Sequence, residues 1–248
     1  MGANQGRWLR IGSMAAFLFV WQLVALWMNS SDLPTPVAVV VQLWTLATEG
    51  ELLQHLAITL ARVVVSFVIA MFIGSAIGML MGRSERMDSA FDGLLVLGLN
   101  IPALVTIVLC YIWFGLTEAA AVTAVALNKI PTVAVTVREG ARAVDRELLE
   151  VSTVFRLSGM RTLHSVYLPQ LYPYLMAAAR SGLALIWKIV LVVELLGRSS
   201  GIGYLLGTYF QFFDIGSILA CTIAFASVIF CVEGLLVRPL DRRIARWR

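Results

Sequence analysis

The sequence contains few charged residues. Of its 248 residues, 14% are charged and 60% are hydrophobic, whereas soluble domains carry about 25% charged residues. This composition excludes an ordinary water-soluble domain. Lysine occurs only at positions 129 and 188, inside apolar runs and not preceded by glycine. A phosphate-cradling loop requires G-x-x-x-x-G-K-[ST], so this chain is not expected to bind ATP and magnesium or to hydrolyse ATP.

Histidine and cysteine are also scarce. The topology predicted below places the two histidines, His55 and His164, on opposite sides of a membrane. The three cysteines, Cys110, Cys221 and Cys231, fall inside apolar runs, where cysteine usually acts as a small packing residue. No spacing fits a metal site, so we expect neither a metal centre nor catalytic residues.

Long apolar runs are what the sequence does contain. About 20 apolar residues span a bilayer, and six windows are long enough: 9–29, 56–82, 91–114, 119–138, 174–196 and 215–237. The first window follows two arginines, as in a signal peptide, but it ends in MNSSD without a small-x-small cleavage site. This favours an uncleaved anchor. We expect an all-α integral membrane protein with a bundle of six transmembrane helices.

The distribution of charge predicts the orientation, because cytoplasmic connections collect lysine and arginine. With the N-terminus inside, the inner segments contain Arg7, Arg10, Arg83, Arg86, Arg138, Arg142, Arg146, Arg156, Arg161 and the tail from Arg238 to Arg248. The outer segments contain Arg198 alone, against Asp32, Glu49, Glu51, Glu118 and Asp214. Both termini are therefore expected in the cytoplasm. The net charge of +4 then follows from topology and requires no nucleic-acid partner.

The windows divide the chain into three predicted parts. Residues 1–55 form an anchor helix and an extracytoplasmic interfacial segment, in which Thr35 and Pro36 predict the start of a helix too short to span. Residues 56–238 form the transmembrane core, with a cytoplasmic loop at 139–172. Residues 239–248 form a basic cytoplasmic tail.

The second window carries small residues at every fourth position. They are Ser66, Ala70, Gly74, Gly78 and Gly82. Lipid tails provide no hydrophobic drive for helix association, so close backbone approach over small residues matters more in a membrane. We expect this helix to lie at the centre of the bundle and to pack through this row.

The third and fourth windows are each interrupted by an asparagine followed by a proline. The interruptions lie at Asn100–Pro102 and Asn128–Pro131. Proline removes a backbone donor and bends a helix, so a kink is expected at both places. Each fits a hinge beside a pathway or an ordinary bend in a membrane bundle.

The fifth window contains the charged residues that are most costly in a membrane. Each costs on the order of 3 kcal/mol or more unless it faces water or the protein interior. Arg180, Trp187 and Glu194 are spaced by sevens, which keeps them near one helix face, and Lys188 lies beside that face. We expect these four residues to line a translocation pathway. The alternative is a structural ion-pair network.

The cytoplasmic loop at 139–172 predicts two short helices. Asp145 fits the cap of the first, and Ser158-Gly159 offers a turn with a second cap. The second helix is expected from Met160 to about Tyr167, where Pro169 stops it. Such a compact, partly apolar knob fits a groove on a soluble partner. The alternative is an amphipathic segment on the inner leaflet.

Several stretches resemble the permease subunits of binding-protein-dependent ABC importers. Glu150 and Leu168-Pro169 match the coupling loop of that family, and LPTP, IPALVTIVLCYIWFGL, KIPTVAVTVREG and LYPYLMAAARSGLALIWKIVLVVELLGRSSGIGYLL fit in order. The resemblance runs from about Leu33 onward and is greatest to the branch that imports sulfonates, taurine, nitrate and related solutes, although it is far more specific for the family than for the substrate. Val151-Ser152 replaces the usual alanine pair and Arg156 the usual glycine. We therefore expect Ser158-Gly159 to carry the turn.

The resemblance implies a type I importer fold in a bacterial inner membrane. Two permease copies would enclose a pathway, two cytoplasmic ATPase subunits would bind ATP and magnesium, and an extracytoplasmic binding protein would deliver the solute. The residues expected to couple to the ATPase are Glu150, Arg156, Leu157, Ser158, Gly159, Met160, Arg161 and Pro169.

Two other classes of function remain as alternatives at this point. An ion-coupled secondary carrier would need acidic residues at mid-membrane, but Glu194 and Glu233 lie near the ends of their windows. An intramembrane hydrolase would need a base beside Ser199 or Ser200, and neither histidine is expected there.

Overall fold

The structure is a computed structural model that describes residues 3–28, 30 and 32–237. Its α-helices are α1 Ala3–Met28, α2 Pro36–Thr48, α3 Leu52–Arg83, α4 Glu85–Asn100, α5 Ala103–Phe114, α6 Glu118–Arg142, α7 Arg146–Val154, α8 Gly159–Thr162, α9 Leu168–Gly197, α10 Ile202–Gln211 and α11 Ile215–Val232. Two π-helical turns, Leu163–Tyr167 and Glu233–Val237, join α8 to α9 and extend α11. These residues contain no strand. The predicted basic tail, 239–248, lies outside the described residues.

Four continuous helices are long and apolar enough to cross a membrane. They are Leu52–Arg83, Glu118–Arg142, Gly159–Gly197 and Ile215–Leu235. The pair α4 and α5 meets the same standard only together, with a bend of 100° between them. The apolar part of α1, Gly12–Met28, and helix α2 are shorter. The prediction of an all-α membrane fold is confirmed at the level of four to five apolar helices.

The row of small residues on α3 lies against α6. A Cβ atom added to Gly74 would lie 2.7 Å from Val133 Cβ, and one added to Gly78 would lie 2.5 Å from the carbonyl oxygen of Ala134. Ser66, at the other end of the row, donates a hydrogen bond to the Val122 carbonyl at 3.4 Å. The two helices therefore run side by side in the same direction, with backbones in the close contact that small residues permit.

The two predicted interruptions have different outcomes. At the first, α4 ends at Asn100 and α5 begins after Pro102, in agreement with the expected kink. At the second, α6 continues through Pro131, so the helix is not broken there. Pro131 is buried, and its ring packs where a Cβ of Gly98 would lie. Packing by a neighbouring helix supports a membrane helix at a position where the backbone donor is missing.

The predicted end of the knob's second helix at Pro169 is also wrong. The chain is helical without a break from Gly159 to Gly197, a length of 39 residues. The π-turn before the proline explains this, because the N–H of Leu168 bonds to the carbonyl of Leu163 across a wider turn. Pro169 then lies in the first turn of α9, where a missing backbone donor costs little. The fifth helix thus begins well before residue 174.

Candidate coupling site and solute pathway

The cytoplasmic loop predicted from the sequence forms a compact knob, which we define as residues 145–162. The Asp145 side chain accepts a hydrogen bond from the Glu147 backbone at 2.8 Å, and the Ser158 side chain accepts one from Arg161. These contacts cap α7 and α8, because they satisfy donors that a helix start leaves free. Gln170 accepts a hydrogen bond from the Asp145 backbone at 2.9 Å, which ties the knob to α9.

Arg156 carries the turn between the two knob helices. Its φ angle is +50°, in the left-handed region that glycine adopts most readily. The Arg156 N–H bonds to the Thr153 carbonyl and the Leu157 N–H to the Ser152 carbonyl, which is the Schellman pattern at a helix end. The expectation that Ser158-Gly159 carries this turn is therefore wrong. Arginine occupies the glycine position of the motif and adopts the glycine conformation there, at a cost of roughly 1 kcal/mol.

The tip of the knob exposes large apolar side chains. Val154 is 80% exposed, Phe155 74% and Met160 68%. Of the residues predicted to couple to an ATPase, Leu157 is half-buried and the others are exposed, namely Glu150, Arg156, Ser158, Gly159, Met160, Arg161 and Pro169. A Cβ atom added to Gly159 would meet nothing within 4 Å. The knob therefore presents a largely open surface at the end of the bundle where α3 and α6 terminate.

An apolar groove runs along the knob beside this tip. It has a volume of about 440 Å³ and is lined mainly by apolar side chains, namely Leu148, Val151, Phe155, Leu157, Val166 and Pro169. Because its floor is formed by both α7 and the start of α9, a partner seated here would contact the knob and the long helix together.

Three of the four predicted pathway residues line one cavity between α9 and α11. Its volume is about 270 Å³, and its wall includes Arg180, Trp187 and Lys188. Arg180 and Lys188 are exposed, whereas Trp187 packs edge-on against Phe225 with ring centroids 5.6 Å apart. Glu233 also lines this cavity, which the sequence interpretation did not assign to it. The cavity wall therefore combines two cations, one carboxylate and the two aromatic rings of Trp187 and Phe225.

Glu194, the fourth predicted pathway residue, lies elsewhere. Its side chain is 0% exposed, and its carboxylate accepts hydrogen bonds from Arg62 at 2.7 Å, Thr59 at 2.9 Å and the Gly203 backbone at 2.9 Å. Helix α10 folds back over this end of α9 and encloses the carboxylate. Glu194 therefore shares no surface with Trp187, although the two residues are seven positions apart on α9. The structure gives Glu194 the structural ion-pair role that the sequence left as the alternative.

Arg62 is the centre of this buried network. Its guanidinium makes five hydrogen bonds, two to the Glu118 carboxylate, one to Glu194 and two to Ser200, at distances of 2.6–2.8 Å. Arg198 pairs with Glu118 as well and also donates to the Leu116 carbonyl. Guanidinium has five N–H donors, so every one has a matched acceptor here.

Comparison with known proteins identifies the family of this chain. Residues 70–246 match the family described as binding-protein-dependent transport system inner membrane component. The chain belongs to this family. It is a permease subunit of an ABC importer and not an enzyme, since ATP hydrolysis belongs to a separate chain. The alternatives of a secondary carrier and a hydrolase are not favoured.

Three curated relatives resemble the permease over most of their length. The aliphatic sulfonates transport permease SsuC of Bacillus subtilis is 31% identical over 96% of this chain and 89% of its own. The taurine permease TauC of Escherichia coli is 29% identical, with the same coverage of 96% and 89%. The nitrate import permease NrtB of Synechocystis is 28% identical over 94% of this chain and 85% of its own.

A solved structure supports the fold of the permease independently. An inward-facing structure of the MetNI methionine ABC transporter matches with a TM-score of 0.66, over 78% of this chain and 95% of that chain. The sequence identity is 18%, so this likeness concerns the fold alone.

The buried network was missed when the permease sequence was interpreted, although one signal was present. Arg62 is the single charged residue within the window 56–82, and such a residue normally has a partner inside the protein. Its partners are distant in sequence, however: Glu118 is 56 residues away and Glu194 132 residues away. The sequence marks Arg62 as a residue that needs a partner without indicating which carboxylates it meets.

The network fixes the start of α10 in the permease. The N–H groups of Gly201, Ile202 and Gly203 donate to His55 Nδ1, Thr59 Oγ1 and Glu194 at 2.8–2.9 Å. These N–H groups lie at the N-terminus of a helix, where backbone donors have no partners within the helix and the helix dipole favours a carboxylate. The side chains that cap α10 thus come from α3 and α9 rather than from α10 itself. Among the described residues, no cluster of three potential metal ligands occurs.

Proposed function

We propose that this permease crosses the bacterial inner membrane six times with both termini in the cytoplasm. Helix α1 and the bent pair α4–α5 would add two spans to the four long helices. The excess of arginine in the alternate connections supports this orientation, as does the ion-paired cluster of Arg138 and Arg142 with Asp88 and Asp92 at the knob's end of the bundle.

The proposed solute is a small anion that bears a sulfonate or a similar oxyanion group. The relatives named above are permeases for aliphatic sulfonates, taurine and nitrate, whose shared chemistry is an oxygen-rich anionic group. Arg180 and Lys188 on the cavity wall supply the positive charge that such a group requires. A second permease copy would close the cavity into a pathway, and an extracytoplasmic binding protein would deliver the solute.

The knob is the observation that carries this proposal. Its helices are capped at both starts, yet Val154, Phe155 and Met160 remain more than two-thirds exposed. A folded, rigid element with an uncovered apolar tip is what a groove on a partner protein requires. In the proposed cycle, each of two ATPase subunits binds one knob. ATP then favours one arrangement of the bundles over the other, because only a difference in affinity between two states moves an equilibrium.

Crosslinking tests the coupling role directly. Met160→Cys would be introduced with Cys231→Ser, since Cys231 is exposed while Cys110 and Cys221 are buried. We expect a thiol-specific crosslinker to join the variant to the ATPase co-expressed with it, and Trp27→Cys on α1, which replaces a side chain that is 87% exposed, to give no such product.

The same variants would be assayed for uptake in proteoliposomes that contain ATP, the ATPase and the binding protein. We expect an uptake that requires ATP and that falls when Met160→Cys is crosslinked. Adducts of Met160→Cys with lipid alone, or uptake driven by an ion gradient without ATP, would contradict the proposed coupling.

A further inference from the structure

Lys129 differs from the other buried charged residues of the permease. It lies near the middle of α6 and is 1% exposed. In the part of the chain that the structure describes, no carboxylate lies within 4.0 Å of its ammonium group and no hydrogen bond reaches it. Arg62, by contrast, is saturated by two carboxylates and Ser200. An unpaired charge inside a membrane-spanning helix costs free energy. The buried network around Arg62 does not include Lys129.

The space for Lys129 is provided by a glycine on α9. A Cβ atom added to Gly182 would lie 2.9 Å from Lys129 Cε and 3.7 Å from both Nζ and Phe67 Cε2. Any larger residue at position 182 would therefore displace the lysine or the phenylalanine. Because glycine has no side chain, the ammonium group approaches the backbone of α9 closely.

The pathway cavity lies on the opposite side of α9. Successive residues of an α-helix are 100° apart, so Arg180, Ala184, Trp187 and Lys188, which line the cavity, point away from the face that contains Gly182. The Lys129 ammonium and the cavity are thus separated by the thickness of one helix, about 10 Å. This face of α9 is buried, since Ala178 and Ile186, one turn before and after Gly182, are 0% exposed.

We propose that Lys129 is an anion-selecting residue that acts on the pathway through space. Its charge raises the positive potential of the cavity from behind α9, in addition to the contact charges of Arg180 and Lys188. It favours small anions there and disfavours cations, against the opposing charge of Glu233 on the same wall. This inference rests on the proposed transport of an anion but concerns a residue that the solute does not touch.

The test measures the potential in the cavity rather than transport. Ala184→Cys is introduced with Cys231→Ser in the membrane-embedded full chain, because Ala184 is exposed and lines the cavity. The thiol is labelled with methanethiosulfonate reagents that carry either a sulfonate or a trimethylammonium group. The ratio of the two labelling rates reports the local potential. Coulomb's law, at about 10 Å and an effective dielectric constant of about 20, predicts that Lys129→Met changes each rate on the order of tenfold and in opposite directions, so that the anion-to-cation ratio falls on the order of 100-fold.

Three controls separate this role from a structural one. Lys129→Arg should keep the ratio, and Lys188→Gln should lower it. A thiol at Met160→Cys on the distant knob should show no change when Lys129→Met is added. Lys129→Met should also raise the unfolding temperature of the purified permease, since it removes a buried charge that lacks a partner.

An unchanged ratio at position 184 in Lys129→Met would overturn the proposal. So would an equal change at positions 184 and 160, or a lower unfolding temperature, because each assigns Lys129 a structural role. The proposed function has a separate test. It is contradicted if the wild-type permease with its partners takes up no anion, such as ethanesulfonate, in the presence of ATP. That failure would leave the labelling ratio, and hence the effect of Lys129 on the cavity potential, unchanged, so the two failures are distinguishable.

Discussion

Replacing Arg62 by leucine removes five hydrogen bonds and one positive charge from the interior of the permease. Glu194 is then left with its hydrogen bonds from Thr59 and the Gly203 backbone but without a counter-charge, at a position with 0% exposure. Removal of one partner from a buried ion pair costs roughly 3–5 kcal/mol, because the remaining charge is desolvated and unpaired. We expect a loss of stability of that size.

The double variant Arg62→Leu/Glu194→Leu distinguishes this cause from a general loss of packing. Removing both partners leaves no uncompensated charge on this pair, so the double variant should be more stable than the sum of the two single losses predicts. We expect a coupling energy of roughly 2 kcal/mol. Arg142→Leu serves as the matched control, since Arg142 and its partner Asp88 are 44% and 22% exposed and such a pair contributes less than about 1 kcal/mol.

The assay is denaturant unfolding of the purified permease in detergent, with each variant measured over the same transition. Additive losses for Arg62→Leu and Glu194→Leu would refute the reasoning, because they would mean that the two side chains contribute independently. A loss for Arg142→Leu equal to that for Arg62→Leu would refute it as well, since burial would then not decide the magnitude.

Two further substitutions test individual backbone positions. Arg156→Gly should stabilise the knob by about 1 kcal/mol, because glycine adopts the φ angle of +50° without strain; an unfolding temperature that falls would show that the arginine side chain stabilises the turn by contacts of its own. Gly78→Leu should prevent the permease from reaching its folded, detergent-soluble form, because an added Cβ already meets the Ala134 carbonyl at 2.5 Å. Gly93→Leu, where a Cβ meets nothing within 4 Å, is its control, and equal yields of the two variants would contradict the close packing of α3 on α6.

Local patterns were sufficient to predict several features of this protein. The helix caps at Thr35, Asp145 and Ser158 were predicted because a capping residue and its partner lie within three residues of each other. The apolar windows predicted the long helices for a similar reason, since the bilayer sets the length that a helix needs. Each of these inferences depends on residues that are close together in the chain.

Proline was the residue whose effect the sequence predicted least well. It marks the break at Pro102, is accommodated at Pro131 within α6 and lies in the first turn of α9 at position 169. The difference depends on what packs against each residue and on the π-turn before Pro169. Neither is visible in the local sequence.

The amino-acid sequence by itself determined that this chain is a helical membrane protein, that it has a capped knob and that it resembles importer permeases. Only the tertiary structure decided that Arg62 pairs with Glu118 and Glu194, that Glu194 is enclosed while Lys188 borders a cavity, and that Lys129 has no partner among the described residues. The physical reason is that composition and helix periodicity act over a few residues. The neutralisation of a buried charge depends instead on which distant helices pack together.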